Sequence, residues 1–201
     1  MNNLITKENH SSINLFEKLC LLTDEQLDII ESGLEWTVHN IPEAVLVGGT
    51  ATVYYLSSGR DLTPDLDFLV PDISSVATKL SDNNIRYKSL FVGNEYDLGI
   101  TIKDFNTDCL DAVKGNPELN KLILNNPSHA VIGSYKINII SPELLAIMKL
   151  NLGRERDLDD GFALLGSGSC KVASFNNFMN ELKNALEDYD SLIQYEKLIP
   201  A

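Results

Sequence analysis

Apolar positions along the chain change their period several times, and each change predicts an element. Leu27, Ile30, Leu34 and Val38 recur at helical spacing, which predicts a helix over Thr23 to Val38, opened by a capping box in Thr23-Asp24-Glu25-Gln26. A helix over Ser12 to Leu22 is expected before it, behind a polar N-terminal stretch. Ala44 to Val47 is a short apolar run ending in glycines, as a buried strand does, and Thr50 to Ser57 then suits a helix stopped at Gly59. Leu66 to Val70 reads as the next strand and Ser74 to Ser81 as a helix with Val76, Ala77 and Leu80 inward. Tyr87 to Val92 and Tyr96 to Ile102 form a predicted hairpin around Gly93-Asn94. In its second strand Leu98, Ile100 and Ile102 line one face, while Glu95, Asp97, Gly99 and Thr101 line the other.

The segment from Asn106 to Asn125 is mixed and reads as mostly helical, and Ala130 to Gly133 and Lys136 to Ile140 read as two short strands. From Ser141 onward the pattern is helical: Pro142 to Leu152, Asp157 to Leu165, and a last helix from Ala173 to about Leu198. The expected fold is α+β, a small mixed sheet flanked by helices and followed by a C-terminal helical bundle. Residues 1–140 are expected to form the α/β core with its N-terminal helices, and residues 141–201 the bundle.

Composition narrows the functions open to such a fold. A hydrophobic content of 44% is enough for a proper core in a chain of 201 residues. The net charge of −13 argues against broad, non-specific binding to DNA or RNA, which needs Lys and Arg to displace counterions. Cys20, Cys109 and Cys170 are widely separated and make no CxxC pair, so reduced thiols are expected rather than a disulfide framework or a zinc knuckle. His10, His39 and His129 are isolated and read as structural or surface residues. The N-terminal residues lack the apolar core of a signal peptide, and no apolar run approaches the roughly 20 residues that cross a bilayer. A soluble, cytoplasmic protein with no membrane partner is expected.

The chemistry concentrates in two places. Gly48-Gly49 lies between a strand and a helix, where open backbone N–H groups and the helix dipole suit a phosphate. Asp65 and Asp67 follow at positions i and i+2 of an extended segment, so they share a face. Two converging carboxylates repel unless a cation lies between them, and a hard divalent ion such as Mg²⁺ answers that need. A two-metal site wants a further carboxylate from a neighbouring strand. Asp97 is the candidate, with Glu95 as the alternative on the same face. The second place is Lys149 to Asp160, where Lys149 ends an apolar helix and Arg154, Arg156, Asp157 and Asp160 follow. A bland account also fits there: Lys149 and Arg156 as solvated helix-end charges, and Asp157 as a helix N-terminal dipole partner.

Taken in order, Gly48-Gly49, Arg60-x-x-Thr63-x-Asp65-x-Asp67, a later strand carboxylate, Ser141-Pro142-Glu143, Lys149, and Arg154-x-Arg156-Asp157-x-x-Asp160 resemble the DNA polymerase β-type nucleotidyltransferase superfamily. More narrowly, they are similar to the abortive-infection (AbiEii-like) toxin nucleotidyltransferases, over roughly residues 43–165. The resemblance implies Mg²⁺ or Mn²⁺ as cofactor and an NTP as substrate. It implies an acceptor that is a tRNA, a protein or a small molecule, and an antitoxin protein as possible partner. Gly48, Gly49 and Thr50 become the triphosphate cradle, Asp65 and Asp67 the metal ligands, and Lys149 a phosphate contact. Asp157 becomes an activating base or orienting group, with Arg60, Arg154 and Arg156 as further substrate contacts. One departure stands out: the second residue of the glycine motif is often Ser in this family and is Gly49 here, which leaves a phosphate-binding hydroxyl to Thr50. Two other readings stay open: a non-catalytic nucleotide-binding or protein-interaction relative, and an antibiotic-type enzyme acting on a small molecule.

Overall fold

The computed structural model describes residues 22–56, 65–92 and 96–185. The predicted Ser12 helix up to residue 21, the Gly59 stop, the Gly93-Asn94 turn and the end of the last predicted helix lie outside these residues. The described chain runs α1 (Asp24–Asn40), β1 (Val45–Val47), α2 (Gly48–Tyr55), β2 (Leu66–Val70), α3 (Ile73–Asp82), β3 (Tyr87–Val92), β4 (Tyr96–Ile102) and β5 (Thr107–Asp111). It continues through α4 (Pro117–Asn125), β6 (Ser128–Ile132), β7 (Tyr135–Ile139), α5 (Pro142–Leu152), α6 (Glu155–Gly166) and α7 (Val172–Ala185).

The architecture is α+β. Seven strands form one mixed sheet in the order β3-β4-β5-β2-β1-β7-β6. The β2/β5 and β1/β7 pairs are parallel, and the remaining neighbours are antiparallel. Three central strands are deeply buried, with Leu46, Phe68 and Cys109 on one row of the core. α1 lies across the face that carries Leu66 and Thr107. It comes so close that a Cβ on its Gly33 would stand 2.7 Å from Thr107 Oγ1 and 2.9 Å from Leu66 Cδ1. The α1 start is the expected capping box, in which Gln26 N–H donates to Thr23 Oγ1 at 3.2 Å and Thr23 N–H donates to Gln26 Oε1 at 2.9 Å.

Two expectations change in the structure. The helix after β1 begins at the glycines themselves rather than at Thr50, because Gly48 takes φ +68° and turns the chain directly from strand to helix. The segment after Asn106 is not mainly helical. Its first part is the strand β5, reached through a turn with Asn106 at φ +45°, and a helix follows only from Pro117, capped by the Asn116 side chain.

The C-terminal helices α5, α6 and α7 pack together. α5 ends on Gly153, whose φ of +67° is the left-handed conformation that stops a helix, and α6 folds back along it. Gly161 allows that close approach, since a Cβ there would stand 2.9 Å from Leu150 Cγ and 3.4 Å from the Ala146 carbonyl. The start of α7 is tied to α5 by Lys171 N–H, which donates to the buried Glu143 carboxylate at 2.8 Å. One hydrophobic cluster runs from Ile30 in α1 through the sheet to Leu182 in α7. No helix among the described residues is long and apolar enough to cross a membrane.

Candidate functional site

The register of the sheet builds the site. β1 and β2 are antiparallel with Val47 opposite Asp67, so the chain leaves β1 and enters the glycine turn directly beside Asp67. A Cβ on Gly48 would collide with Asp67 Oδ2 and crowd its Cγ at 2.7 Å, which leaves glycine as the residue that fits. The Gly49 N–H favours the charged form of the Asp67 carboxylate. Thr50, also buried, donates its hydroxyl to the Asp65 carbonyl oxygen at 2.9 Å. This bond spans the interval between the first two motifs and fixes the helix start against the start of β2. The Thr50 hydroxyl hydrogen is therefore engaged by the backbone.

On its other side β2 is parallel to β5, with Asp67 opposite Asp108. Directly paired residues share a face and stand about 5 Å apart, so Asp108 is the carboxylate next to Asp67 on the neighbouring strand. Asp97 does not occupy that place. Thr101 is the β4 residue opposite Asp108, and Asp97 lies four residues further along β4, about 13 Å away at strand rise. Neither the Asp97 side chain nor Glu95 belongs to the described residues. Asp108 was hidden in the sequence because Thr107-Asp108-Cys109-Leu110-Asp111 lacks a clean alternation. The available signal was that a turn at Lys103 to Asn106 could open a second hairpin.

Electrostatically the site is a crowd of carboxylates short of solvent. Burial, then the charges of Asp65 and Asp108, push Asp67 up to about 6, against the opposing effects of Gly49 N–H and Lys149. Asp65 Oδ1 is buried with no hydrogen-bond partner among the described residues. Oxygen-only donors, one of them buried and unsatisfied, fit a hard divalent cation such as Mg²⁺ or Mn²⁺. Among the described residues no three acidic, His or Cys side chains are already gathered at ligating distance. Asp67 lies against the glycine turn, with Oδ2 in the space a Gly48 side chain would fill.

Lys149, on α5, is close enough for its charge to act on Asp67. It is 3% exposed, donates to Asp157 Oδ1 at 2.7 Å, and stands 3.1 Å from Asp160 Oδ2. Arg154 Nε pairs with the other Asp157 oxygen while most of its side chain stays in solvent. Burial raises the Asp157 carboxyl, but the hydrogen bonds and charges of Lys149 and Arg154 outweigh it and hold the group below its ordinary value. The bland account of Lys149 as a solvated helix end therefore does not hold. Arg156 is exposed, and Arg60 lies outside the described residues. Cys109 and Cys170 are buried thiols pushed up to about 12, chiefly by burial, which makes them unreactive. A cavity of about 70 Å³ lies elsewhere, between α1 and the sheet, lined by Thr37, Phe68 and Ile137.

Comparison with known proteins now adds to this geometry. A crystal structure of an antigenic nucleotidyltransferase-like protein from Paracoccidioides brasiliensis matches with a TM-score of 0.51. The match has 13% identity and covers 86% of this chain and 93% of that one. The chain has a nucleotidyltransferase-like fold. A solution structure of the antibiotic-resistance factor ANT(2'')-Ia aligns at a TM-score of 0.47 and 14% identity, over 93% of this chain and 97% of that one. No family model and no curated protein matches the sequence.

Proposed function

We propose that this protein is a metal-dependent nucleotidyltransferase that moves a nucleoside monophosphate from an NTP to an acceptor and releases pyrophosphate. The observation that carries the reading is the contact between Gly48-Gly49 and Asp67, with Asp65 two residues before it and Asp108 on the next strand. That arrangement brings a phosphate-binding turn and a carboxylate cluster to one point of a fold shared with a nucleotidyltransferase-like protein.

Asp65, Asp67 and Asp108 are the residues that would hold Mg²⁺ or Mn²⁺. When bound, the metal supplies positive charge to the triphosphate and lowers the pKa of the attacking group. The turn N–H groups orient the phosphates, and the fixed position of α2 keeps them aligned with β2 through the Thr50–Asp65 bond. Of the two roles open to Asp157, orienting group fits better than base. A carboxylate held below its ordinary value by two cations is a poor proton acceptor. Lys149 then acts beside Asp67 as a positive charge set in place by Asp157 and Asp160. Arg156, exposed at the start of the same helix, and the solvent-facing part of Arg154, whose Nε pairs with Asp157, are placed to reach substrate.

The finer reading is a toxin of a toxin–antitoxin pair acting in the cytoplasm on a tRNA, protein or small-molecule acceptor. It rests on the run from Lys149 to Asp160. The test is incubation of the protein with each labelled NTP and cell extract. Label is expected in one fraction (RNA, protein or small molecule), and it should vanish in Asp65→Ala/Asp67→Ala. Unchanged Mg²⁺-dependent NTP affinity in that double variant would overturn the metal site. NTP binding without any label transfer would favour the non-catalytic reading.

A further inference from the structure

We infer that the sheet face beside the carboxylates, over β5, β4 and β3, is the acceptor site, and that Lys88 and Lys103 fit it to the phosphate backbone of a nucleic-acid strand. The inference rests on the nucleotidyltransferase reading and names the acceptor class for that same site.

Register places these residues in one row. Asp67 is opposite Asp108, Asp108 is opposite Thr101, and Thr101 is opposite Lys88. Paired residues share a face, so the row that begins at the carboxylates ends on a cation in the edge strand β3. An independent contact agrees. Tyr87 lies on the other face, where its hydroxyl is 3.3 Å from Ser81 Oγ of α3, so its neighbour Lys88 faces the carboxylate side. Lys103 follows Thr101 by two positions, and its N–H donates to the Arg86 carbonyl at 3.1 Å, which carries the ladder one residue further. Lys88 and Lys103 are exposed, while Asp108 and Thr101 are half-buried. Among the described residues neither lysine has an ion-pair partner, whereas Arg86 is held by Asp104.

The chemistry gives each substrate its own side. The glycine turn lies on the β1 side of Asp67, where α2 packs on β1 and β2. Phosphates held by that turn put the leaving pyrophosphate on the β1 side. The attacking and leaving oxygens stand roughly in line across the reacting phosphorus, so the acceptor approaches over β5, β4 and β3. In the transfer the acceptor's hydroxyl oxygen bonds to the α-phosphorus. The bond from that phosphorus to the α–β bridging oxygen breaks with its electron pair on pyrophosphate, and the hydroxyl proton passes to water. An acceptor that reacts at Asp67 and reaches Lys88 covers three strand spacings, about 14 Å. A nucleotide strand has that reach and repeats its negative charge along it, which a single sugar phosphate does not. In a chain of net charge −13, two exposed lysines on this face are a local exception with the sign that such a strand needs. They meet backbone phosphates rather than base edges, so binding is expected to be indifferent to sequence.

The experiment uses the full chain at about 0.15 M ionic strength, where charges more than about 8 Å apart are largely screened. A short fluorescent single-stranded RNA of mixed sequence probes the acceptor face, and a fluorescent NTP with Mg²⁺ probes the nucleotide side. Lys88→Glu/Lys103→Glu is expected to weaken RNA binding at least about tenfold and to leave NTP affinity unchanged, which also shows that the variant is folded. Lys114→Glu/Lys121→Glu, which reverses two exposed lysines of the β5–α4 connection and α4, should keep RNA binding close to wild type. RNA binding that is undetectable in the wild type, unchanged in the first variant, or weakened equally in both would overturn the inference and leave the nucleotidyltransferase reading intact. An equal loss of NTP affinity in Lys88→Glu/Lys103→Glu would put the lysines on the nucleotide and also overturn it. Displacement of the RNA by an equal concentration of glycerol phosphate would point to a small phosphorylated acceptor and overturn the assignment to a strand. A wild type that binds no NTP in Mg²⁺ would instead overturn the nucleotidyltransferase reading, and the inference with it.

Discussion

Asp67 carries an electrostatic cost that a structural residue in its place would not. Its carboxyl is raised from an ordinary value of 3.8 to about 6 by burial and by two neighbouring carboxylates. The folded state therefore holds its proton more firmly than the unfolded state does. Below about pH 4 both states are protonated and the residue costs nothing. Between about pH 4 and 6 the unfolded chain releases the proton first, so stability falls as pH rises through that window. Above it the penalty is complete, on the order of 3 kcal/mol for a shift of this size. Asp67→Asn keeps the shape while removing the charge. In the absence of divalent cations it is expected to be more stable than wild type by about 1–3 kcal/mol at pH 7.5, with no gain at pH 4. Denaturant unfolding at the two pH values measures this. A variant less stable than wild type at pH 7.5 would mean that Asp67 contributes more by its charge than it costs.

At the level of elements, what was legible in the sequence follows from how local each signal is. The helix start at Thr23, the strand carrying Asp65-x-Asp67 and the α5 span were readable because a cap, an alternation or an N1 proline announces them within a few residues. β5 was not, because its identity comes from being clasped between β4 and β2, and with it went Asp108. For the same reason Asp97 could be chosen only along its own strand, whereas register across the sheet decides which residues meet, and it sets Asp108 rather than Asp97 opposite Asp67. The α5–α6 hairpin shows the opposite case, a motif visible in sequence whose meaning only packing reveals. Lys149 joins the two helices through Asp157 and Asp160, and all three are nearly excluded from solvent. Lys149→Met would leave both carboxylates without their shared cation. The expected loss is about 3–5 kcal/mol, the scale for breaking a buried pair, read as a lower unfolding midpoint at pH 7. In Lys149→Met/Asp157→Leu a substantial part should return, because an apolar pair of similar volume is tolerated where a lone charge is not. A double variant no better than the single one would show that Lys149 works mainly through other contacts.

For the molecule as a whole, the charge of −13 sets the terms on which the anionic nucleotide of the proposed function would arrive. The carboxylates at the β2–β5 junction add a local field of the same sign, set against Lys149 and Arg154. If the global charge governs approach, nucleotide and protein repel at distances beyond the site, and the repulsion reaches furthest when salt is low. The Debye length shrinks from about 30 Å at 0.01 M to about 8 Å at 0.15 M ionic strength. Raising monovalent salt across that range at fixed, saturating Mg²⁺ should therefore speed association of a fluorescent NTP severalfold, contrary to the slowing seen when a basic cleft steers its ligand. The dissociation rate, which depends on short contacts inside the site, should change less. Stopped-flow mixing separates the two. An association rate that falls with salt would show that the cationic start of α6 dominates the approach, and Arg154→Ala with Arg156→Ala should then abolish the effect. The same logic extends to the acceptor. A nucleic-acid acceptor must cross the same field, so its binding should also strengthen as low salt is raised, whereas a cationic small molecule should bind more weakly under the same change.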